Sequence, residues 1–472
     1  MIDLEKKIDA RVKKPFFTEM MILATTTGID QKQYIKNIKE LALLIRGFLE
    51  ERNLIKKIEY KPKVFWNFKG NKSIYNIDGG QLSLSVTGSA SLGIRVGVLK
   101  NKPGDKTKDW CDFDESSTLS SNLVDKDNSH YEQEEESFIV KYDKMITGSR
   151  MIMEAAEVVK QHNAKGKWTS KPSVSDIVYL HGPIVYEATM YHLASDDNNP
   201  IPPFKMDFCK SLLSHQSDFF YKEFKKKELD KESRYFLPIY CEIINQIKKS
   251  KIPTYGIVER IRGLVSPGPV TSAILDELFQ HNKFRLEELN AKKLNRTLDI
   301  KRVGTKSDGI KIKEKFEKRS VKDDVIFDLI LDEGEYIKPV QIIKNPWGKW
   351  PRGKYSYTSY FDTVPEPYSS FLKISEFKRP IRIETLNVLD SYDEDMKFTF
   401  YSAKLLPQYC FPLGLDTVDK MTKVPGWMRN AMRNEYVSKL LRKTLDSNES
   451  KENINMVLKS FLSGRNWWVR PK

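Results

Sequence analysis

The stretch Ile74-Tyr75-Asn76-Ile77-Asp78-Gly79-Gly80 places an aspartate at the end of a short, mostly apolar run and directly before two glycines. Apolar residues then alternate with others over 82–86 and again over 94–98, which is the period of a strand with one buried face. We therefore predict an up-and-down pair of strands, with Asp78 lifted to the rim of a sheet where the two glycines let a ligand approach. The same residues also fit a tight turn in which Asp78 bonds its own backbone.

The composition indicates a basic protein that is long enough to build a large core. Its 472 residues carry 79 lysines and arginines against 64 aspartates and glutamates, so the net charge is +15. An excess of this size suggests a polyanionic partner. The four cysteines lie far apart without a Cys-x-x-Cys spacing, so we expect neither a disulfide framework nor a zinc cluster, and we expect a reducing, cytoplasmic location. The charged first residues and the lack of a long apolar run predict neither a signal peptide nor a transmembrane helix.

Helical and strand patterns alternate along the chain without clean segregation, which predicts an α/β fold with a helical insertion. One helical pattern covers 31–57, and another resumes at about 138 and carries Glu154. The polar, acidic stretch 101–137 predicts a mobile surface insertion. A second short apolar strand ends at His181. The later segments are predicted as mostly helix over 205–300 with a strand at 255–258, strands at 325–331, 370–377, 381–386 and 398–401, and a closing helix over 425–445.

Three polar signals and two later stretches follow one another in a characteristic order. The three signals are Asp78-Gly79-Gly80 at the first strand end, Arg150-Met151-Ile152-Met153-Glu154 on a helix, and Leu180-His181-Gly182-Pro183-Ile184 at the second strand end. The later stretches are Pro380-Ile381-Arg382-Ile383-Glu384 and Tyr409-Cys410-Phe411-Pro412-Leu413, with Asp416 and Asp419 close behind. In this order, over roughly residues 70–445, the motifs resemble those of the NurA nuclease domain.

The resemblance implies a ribonuclease H-like mixed sheet with flanking helices, in which a strand end carries the first carboxylate. It also implies three regions: an N-terminal helical region at 1–63, a nuclease domain at 64–445 with its helical insertion at about 205–300, and a C-terminal tail at 446–472. The residues that match the family's catalytic positions are Asp78, Glu154, His181 and Tyr409. The residues that match its metal ligands are Asp78, Glu154 and His181, together with Asp416 or Asp419, which compete for one place.

Two positions depart from the family pattern, and two of the candidate residues have a structural alternative. His181 stands where the family usually has an aspartate, and Glu259 stands near the place of a family lysine. In the structural alternatives, His181 is a hydrogen-bonded histidine at a strand end, and Glu154 lies on a solvated face of its helix. A further candidate ligand, Asp176, lies at the opposite end of its strand from His181.

A cluster of carboxylates suits the hydrolysis of a phosphodiester. Two divalent ions about 3.5–4 Å apart can activate water and stabilise the leaving oxygen. Mg²⁺ and Mn²⁺ both take oxygen ligands, and an imidazole such as that of His181 favours Mn²⁺ over Mg²⁺. We therefore expect Mn²⁺, with Mg²⁺ as the alternative. Asp78 would bridge the ions, and Glu154 and a late aspartate would complete their shells.

A later loop interleaves cations with aromatic residues, as do surfaces that neutralise phosphates and stack unpaired bases. The candidate DNA-binding residues of this loop are Lys344, Trp347, Lys349, Trp350, Arg352 and Lys354. In the alternative, the tryptophans pack in the core or at a subunit interface while the lysines are solvated. The stretch Arg465–Arg470 has a similar composition, and for it we prefer an interface or partner-docking role.

The resemblance therefore implies a Mn²⁺-dependent DNA nuclease with exonuclease and endonuclease activity. The resemblance implies a homodimer docked on a HerA-type hexameric ATPase that moves DNA, in end processing for DNA repair or in phage defence. The chain has no Gly-x-x-x-x-Gly-Lys-Ser/Thr loop, so ATP-driven movement would come from the partner. The alternative is a non-catalytic DNA-binding subunit of such a complex that has lost a metal ligand at His181.

Overall fold

The computed structural model describes most of the regular elements of the chain. The described residues are 42–43, 45–66, 72–86, 89–102, 111–121, 135–162, 176–186, 236–259, 270–271, 273–274, 300–302, 310–312, 323–342, 364–406 and 408–446. Within them the strands are β1 Ile55–Lys57, β2 Ile74–Val86, β3 Ser89–Asn101, β4 Cys111–Ser121, β5 Ile177–His181, β6 Thr254–Val258, β7 Ile300–Arg302, β8 Ile310–Ile312, β9 Glu335–Ile337, β10 Val340–Gln341, β11 Tyr368–Leu372 and β12 Ile381–Thr385. The helices are α1 Pro62–Trp66, α2 Glu135–His162, α3 Phe236–Lys249, α4 Asp323–Ile330, α5 Tyr392–Lys404, α6 Leu413–Thr422 and α7 Gly426–Asp446.

Ten of the described strands form one mixed sheet. Their order is β1-β9-β11-β12-β6-β5-β2-β3-β4, with β10 beside β11, while β7 and β8 pair separately. Strands β2, β3 and β4 form an antiparallel meander, and β5 and β6 continue from β2 in parallel. A meander extended by parallel strands is the mixed sheet expected of a ribonuclease H-like fold. The predicted α/β class with a mixed sheet and flanking helices is confirmed.

The predicted pair of alternating strands is confirmed as the hairpin of β2 and β3. The predicted inward-facing residues of the described part are buried, namely Leu82, Ile94, Val96 and Val98. Strand β2 is longer than the sequence indicated, because it continues through Asp78 and both glycines to Val86. Asp78 therefore lies within a strand, neither at its end nor in a tight turn.

The predicted mobile insertion over 101–137 is wrong for part of its length. Residues Cys111–Ser121 form β4, which pairs with β3 throughout, and α2 already begins at Glu135. Strand β4 is rich in serine and acidic residues and is last in the strand order, so its conformation comes from pairing with β3 and not from an apolar buried face. Residues 103–110 and 122–134 lie outside the described part of the chain.

The predicted strand at 325–331 is wrong, because these residues belong to α4. The helix buries Ile326, Phe327 and Ile330, which recur at helical spacing. Asp323 at its start accepts hydrogen bonds from two backbone N–H groups. A short apolar run fits a strand or a buried helix equally well, and packing decided between them.

The predicted strand at 398–401 is also wrong, because these residues lie inside α5. Aromatic and β-branched residues are typical of strands, which explains the error. The helix begins at Tyr392 and carries three acidic residues in its first turn, Asp393, Glu394 and Asp395. Acidic residues near the start of a helix are stabilised by its dipole. These three residues therefore favour a helix, against the strand preference of residues 398–401.

The predicted helix over 31–57 is wrong at its end, because Ile55–Lys57 form β1, which pairs with β9. Four other predicted elements agree in kind. The second apolar strand is β5, the strand at 255–258 is β6, the strand at 381–386 is β12, and the closing helix is α7. Strand β11 ends at Leu372, earlier than the predicted 377. None of the described helices is long and apolar enough to cross a membrane.

The chain divides into two compact units. One comprises Met1–Lys57, Arg260–Ile342 and Ser370–Arg382, and the other comprises Ile58–Glu259, Ile343–Ser369 and Ile383–Lys472. The core of the first unit includes the apolar face of α4, and the core of the second is built mainly from β2, β3, β5, α2 and α3. The domain limits suggested by the sequence, at 63, at 205–300 and at 446, remain predictions.

Candidate metal centre

The register of β2 and β5 brings Asp78 and His181 together. The parallel pairing of these strands ends at Ile77 opposite Leu180, and the next residue on each strand is Asp78 and His181. The two side chains meet there, with His181 Nδ1 3.1 Å from Asp78 Oδ2. Two short apolar runs 103 residues apart thus place a carboxylate and an imidazole side by side, because neighbouring strands carry them at matching positions.

Helices α2 and α6 pack on opposite faces of β2. Successive strand residues point to opposite faces, so Gly79 and Gly80 face opposite sides of the sheet. A Cβ atom on Gly79 would lie 2.6 Å from Glu154 Oε1 on α2, whereas one on Gly80 would overlap the carbonyl oxygen of Thr422 on α6. Asp78 therefore shares the α6 face with Gly80. The expectation that the glycines let a ligand approach is corrected, because the missing side chains make room for α2 and α6 instead.

His181 is the last residue of β5 and is held in a mostly enclosed position. Its side chain is 25% exposed, and its ring lies 5.1 Å from that of Phe411. Burial by itself lowers the pKa of the imidazole, but the hydrogen bond and charge of Asp78, with the charges of Asp419 and Glu154, outweigh it. The net result is a pKa above the usual histidine value.

Helix α6 supplies Asp419 to the same place. One ligand atom each from Asp78, His181 and Asp419 lies within 4.8 Å of the others. Asp416, one turn earlier, instead accepts a hydrogen bond from Lys420 Nζ at 2.6 Å. Of the two aspartates that competed for one place in the sequence, the structure brings Asp419, and not Asp416, to Asp78 and His181.

These three side chains fit a hard divalent cation. Adjacent ligands of an octahedral ion with bonds of about 2.1 Å stand about 3 Å apart, and the Asp78 and His181 atoms are 3.1 Å apart. Two carboxylates with one imidazole suit Mn²⁺ better than Mg²⁺, because an imidazole is a softer ligand than a carboxylate. The group could therefore hold a metal ion.

Glu154 lies beside this group, deeply buried on α2. The residue is 1% exposed, so the alternative of a solvated helix face is wrong. Its Oε1 lies 3.4 Å from Arg150 Nη1, and its carboxylate accepts a hydrogen bond from the backbone N–H of Gly79. Burial raises the pKa of Glu154 to about 7 even though the Arg150 charge lowers it, and the nearby charge of Asp78 adds to the rise.

No protein-family model matches this chain, and no curated protein sequence matches it. The structure is similar to solved structures of NurA nucleases. The NurA nuclease from Sulfolobus solfataricus is 11% identical, with 91% of this chain and 98% of that chain covered and a TM-score of 0.47. A NurA structure with manganese is 10% identical, with 88% and 99% covered and a TM-score of 0.37. A NurA structure bound to dAMP and manganese is 11% identical, with 87% and 94% covered and a TM-score of 0.37.

The remaining predicted residues lie elsewhere. Tyr409 is 53% exposed, and its ring lies 5.1 Å from Lys420 Nζ, so the structure does not place it among the three ligand candidates. Asp176 accepts a hydrogen bond from the backbone N–H of Ser73, which is a structural role. The whole basic aromatic loop, with Lys344, Trp347, Lys349, Trp350, Arg352 and Lys354, lies outside the described residues, as does Arg465–Arg470.

Two basic residues near the centre had been given no role from the sequence. Arg150 pairs with Glu154, and Lys423 forms an ion pair with Asp419. Both pairs have a spacing of four residues on a helix or at its end, which places the two side chains on one face. That spacing was visible in the sequence and was the signal that could have identified them.

Proposed function

We propose that this chain is a metal-dependent DNA nuclease that hydrolyses phosphodiester bonds, both within strands and from their ends. The observation that carries the proposal is the convergence of Asp78, His181 and Asp419 from three separate elements on one point. Buried acidic groups are unfavourable unless charge compensates them, so a protein keeps such a cluster for a cation or for chemistry.

In this proposal Asp78, His181 and Asp419 hold a divalent ion, preferably Mn²⁺. When bound, such an ion supplies an activated water and neutralises charge on the phosphate. The register of β2 and β5 fixes the positions of Asp78 and His181, and the seat of α6 on Gly80 fixes that of Asp419. The charges of Asp78 and Arg150 both act on Glu154, in opposite directions.

DNA is the proposed substrate, and a translocating ATPase is the proposed partner. The net charge of +15 favours binding to a polyanion. Because the chain lacks a phosphate-binding loop of the ATPase type, a HerA-type hexameric ATPase would move the DNA, with this chain docked on it as a homodimer in a cytoplasmic complex. End processing in repair and defence against phage are the two settings proposed.

The test compares cleavage, Mn²⁺ binding and DNA binding in three variants. Asp78→Asn and Asp419→Asn should each lower cleavage by more than about 100-fold, because changing even an outer partner of a metal ligand costs about 10- to 100-fold. Asp416→Asn is the matched control on the same helix and should cleave as the parent does. Full cleavage by Asp78→Asn would refute the proposed site. A parent that binds DNA but cleaves none, with Mn²⁺ or Mg²⁺, would leave the non-catalytic subunit as the better reading.

A further inference from the structure

We propose that the guanidinium of Arg150 takes the place of a second cation, so that this centre binds one divalent ion and not two. The inference rests on the proposed metal-dependent function and specifies which cations balance the negative charge of the carboxylates at the centre. It differs from the sequence-based expectation of two ions bridged by Asp78, which stays a prediction.

The first support is the position of Arg150 over the strand that carries the centre. Its Nη1 lies 3.4 Å from Glu154 Oε1 and 3.3 Å from the carbonyl oxygen of Gly79. A Cβ atom on Gly79 would come within 3.2 Å of Arg150 Cγ. The missing side chain of Gly79 therefore lets the arginine and the glutamate lie together against β2.

The second support is the side of the strand on which each ligand lies. Asp78 shares the α6 face of β2 with Gly80, and Asp419 reaches it from α6, whereas Glu154 approaches over Gly79 on the α2 face. The group of three ligand atoms accordingly contains no atom of Glu154. Asp78 and Glu154 still lie close enough for their charges to interact, so Glu154 is the carboxylate that a second ion beside Asp78 would use, and it already faces Arg150.

The third support is the charge balance of Glu154. A buried carboxylate is strongly unfavourable without a counter-charge, and this one is 1% exposed. Its Oε1 has no hydrogen-bond donor among the described residues, so compensation there is electrostatic, by the guanidinium at ion-pair distance. The charges of Asp78 and Asp419 also act on Arg150, as they would on a metal ion in the same region.

The test counts Mn²⁺ ions per purified full-length chain by titration calorimetry and by metal analysis after desalting. The parent should bind one ion. Arg150→Met leaves Glu154 without a cation and, because the Arg150 side chain is 29% exposed, also opens a path from solvent, so this variant should bind two. The double variant Arg150→Met with Glu154→Gln should return to one, since the ligand of the second ion is gone.

Two further variants control for folding and for loss of charge. Arg150→Lys keeps a cation at the site and should bind one ion. Arg46→Met removes an arginine of similar exposure, 27%, whose carboxylate partners Glu50, Asp332 and Glu335 are not among the candidate metal ligands, and it should also bind one. If Arg150→Met does not fold, Arg150→Gln replaces it and is judged by the same count.

The outcomes separate the inference from the function on which it rests. Two ions in the parent, or one ion in a folded Arg150→Met or Arg150→Gln protein, overturn the inference while the nuclease proposal stands. No ion in the parent overturns both. One ion in the parent, two in the single variant and one in the double variant support it.

Discussion

At the scale of single residues, the protonation of His181 governs the affinity of the centre for metal. Only a neutral imidazole can bind an ion, and the carboxylates around His181 raise its pKa above the usual value. The proton therefore competes with Mn²⁺ from a pH above about 6.5, the ordinary histidine value. Below the raised pKa, we expect the affinity for Mn²⁺ to fall by about tenfold per pH unit, as for one competing proton. Calorimetric titrations between about pH 5.5 and 8.5 measure this.

Two substitutions at the same residue separate a ligand from a structural histidine. His181→Asp should lower the pH at which the affinity for Mn²⁺ begins to fall, because a carboxyl group takes up its proton at a lower pH than an imidazole. The same variant should bind Mg²⁺ better, because this ion prefers oxygen ligands. His181→Ala should lose most of the affinity for both ions. An alanine variant that binds Mn²⁺ as the parent does would show that His181 only supports Asp78.

Glu154 gives a second prediction at the residue scale, in metal-free protein. Burial raises the pKa of Glu154 from 4.5 to about 7. The stability that comes from its protonated form is complete below about pH 4.5 and is lost as the pH rises through 7, because the folded state then holds a buried charge. Relative to the parent, Glu154→Gln should therefore gain stability as the pH rises from about 4 to about 8, by a few kcal/mol at most, since one pKa unit corresponds to about 1.4 kcal/mol. Urea unfolding in EDTA at both pH values measures it, and a gain that does not change with pH would contradict the assignment.

At the scale of elements, the packing of α6 against β2 sets the position of Asp419. A Cβ atom on Gly80 would overlap the carbonyl oxygen of Thr422, which is backbone and cannot rotate away. Gly80→Ala should therefore displace the end of α6, lower the free energy of unfolding by about 1–3 kcal/mol and weaken Mn²⁺ binding. Gly426→Ala is the matched control, because a Cβ there has nothing within 4 Å. Equal Mn²⁺ affinity in both variants would mean that α6 can shift without moving Asp419.

At the scale of the whole molecule, the excess of positive charge predicts salt-dependent binding to DNA. Replacing Lys349, Arg352 and Lys354 with alanine should lower the slope of log affinity against log salt concentration by about 2 to 3, because each lost phosphate contact contributes about 0.7–0.9. A second triple variant removes three exposed lysines elsewhere, Lys378, Lys397 and Lys439, and controls for net charge. The same slope in both triple variants would mean that the basic aromatic loop faces protein and not DNA.

The elements that could be predicted from the sequence are those whose pattern is local and regular. The hairpin of β2 and β3 has the alternation of a strand, and β5 was identified as a short apolar run that ends at a polar residue and a glycine. The helix α4 and the segment 398–401 were misread because short apolar or aromatic runs fit two conformations equally well. Strand β4 was missed because polar residues become a strand there only through the partner β3.

The sequence by itself determined the order of the acidic and histidine signals, because strand and helix patterns and their polar ends are read along the chain. Tertiary structure alone decided three points: Asp419 and not Asp416 joins Asp78 and His181, Glu154 is buried beside Arg150, and the two glycines admit helices. Each of these depends on a contact between residues far apart in sequence: Asp419 with Asp78, Glu154 with Gly79, and Thr422 with Gly80. Such contacts follow from strand register and helix packing, which fix distances that no local pattern contains.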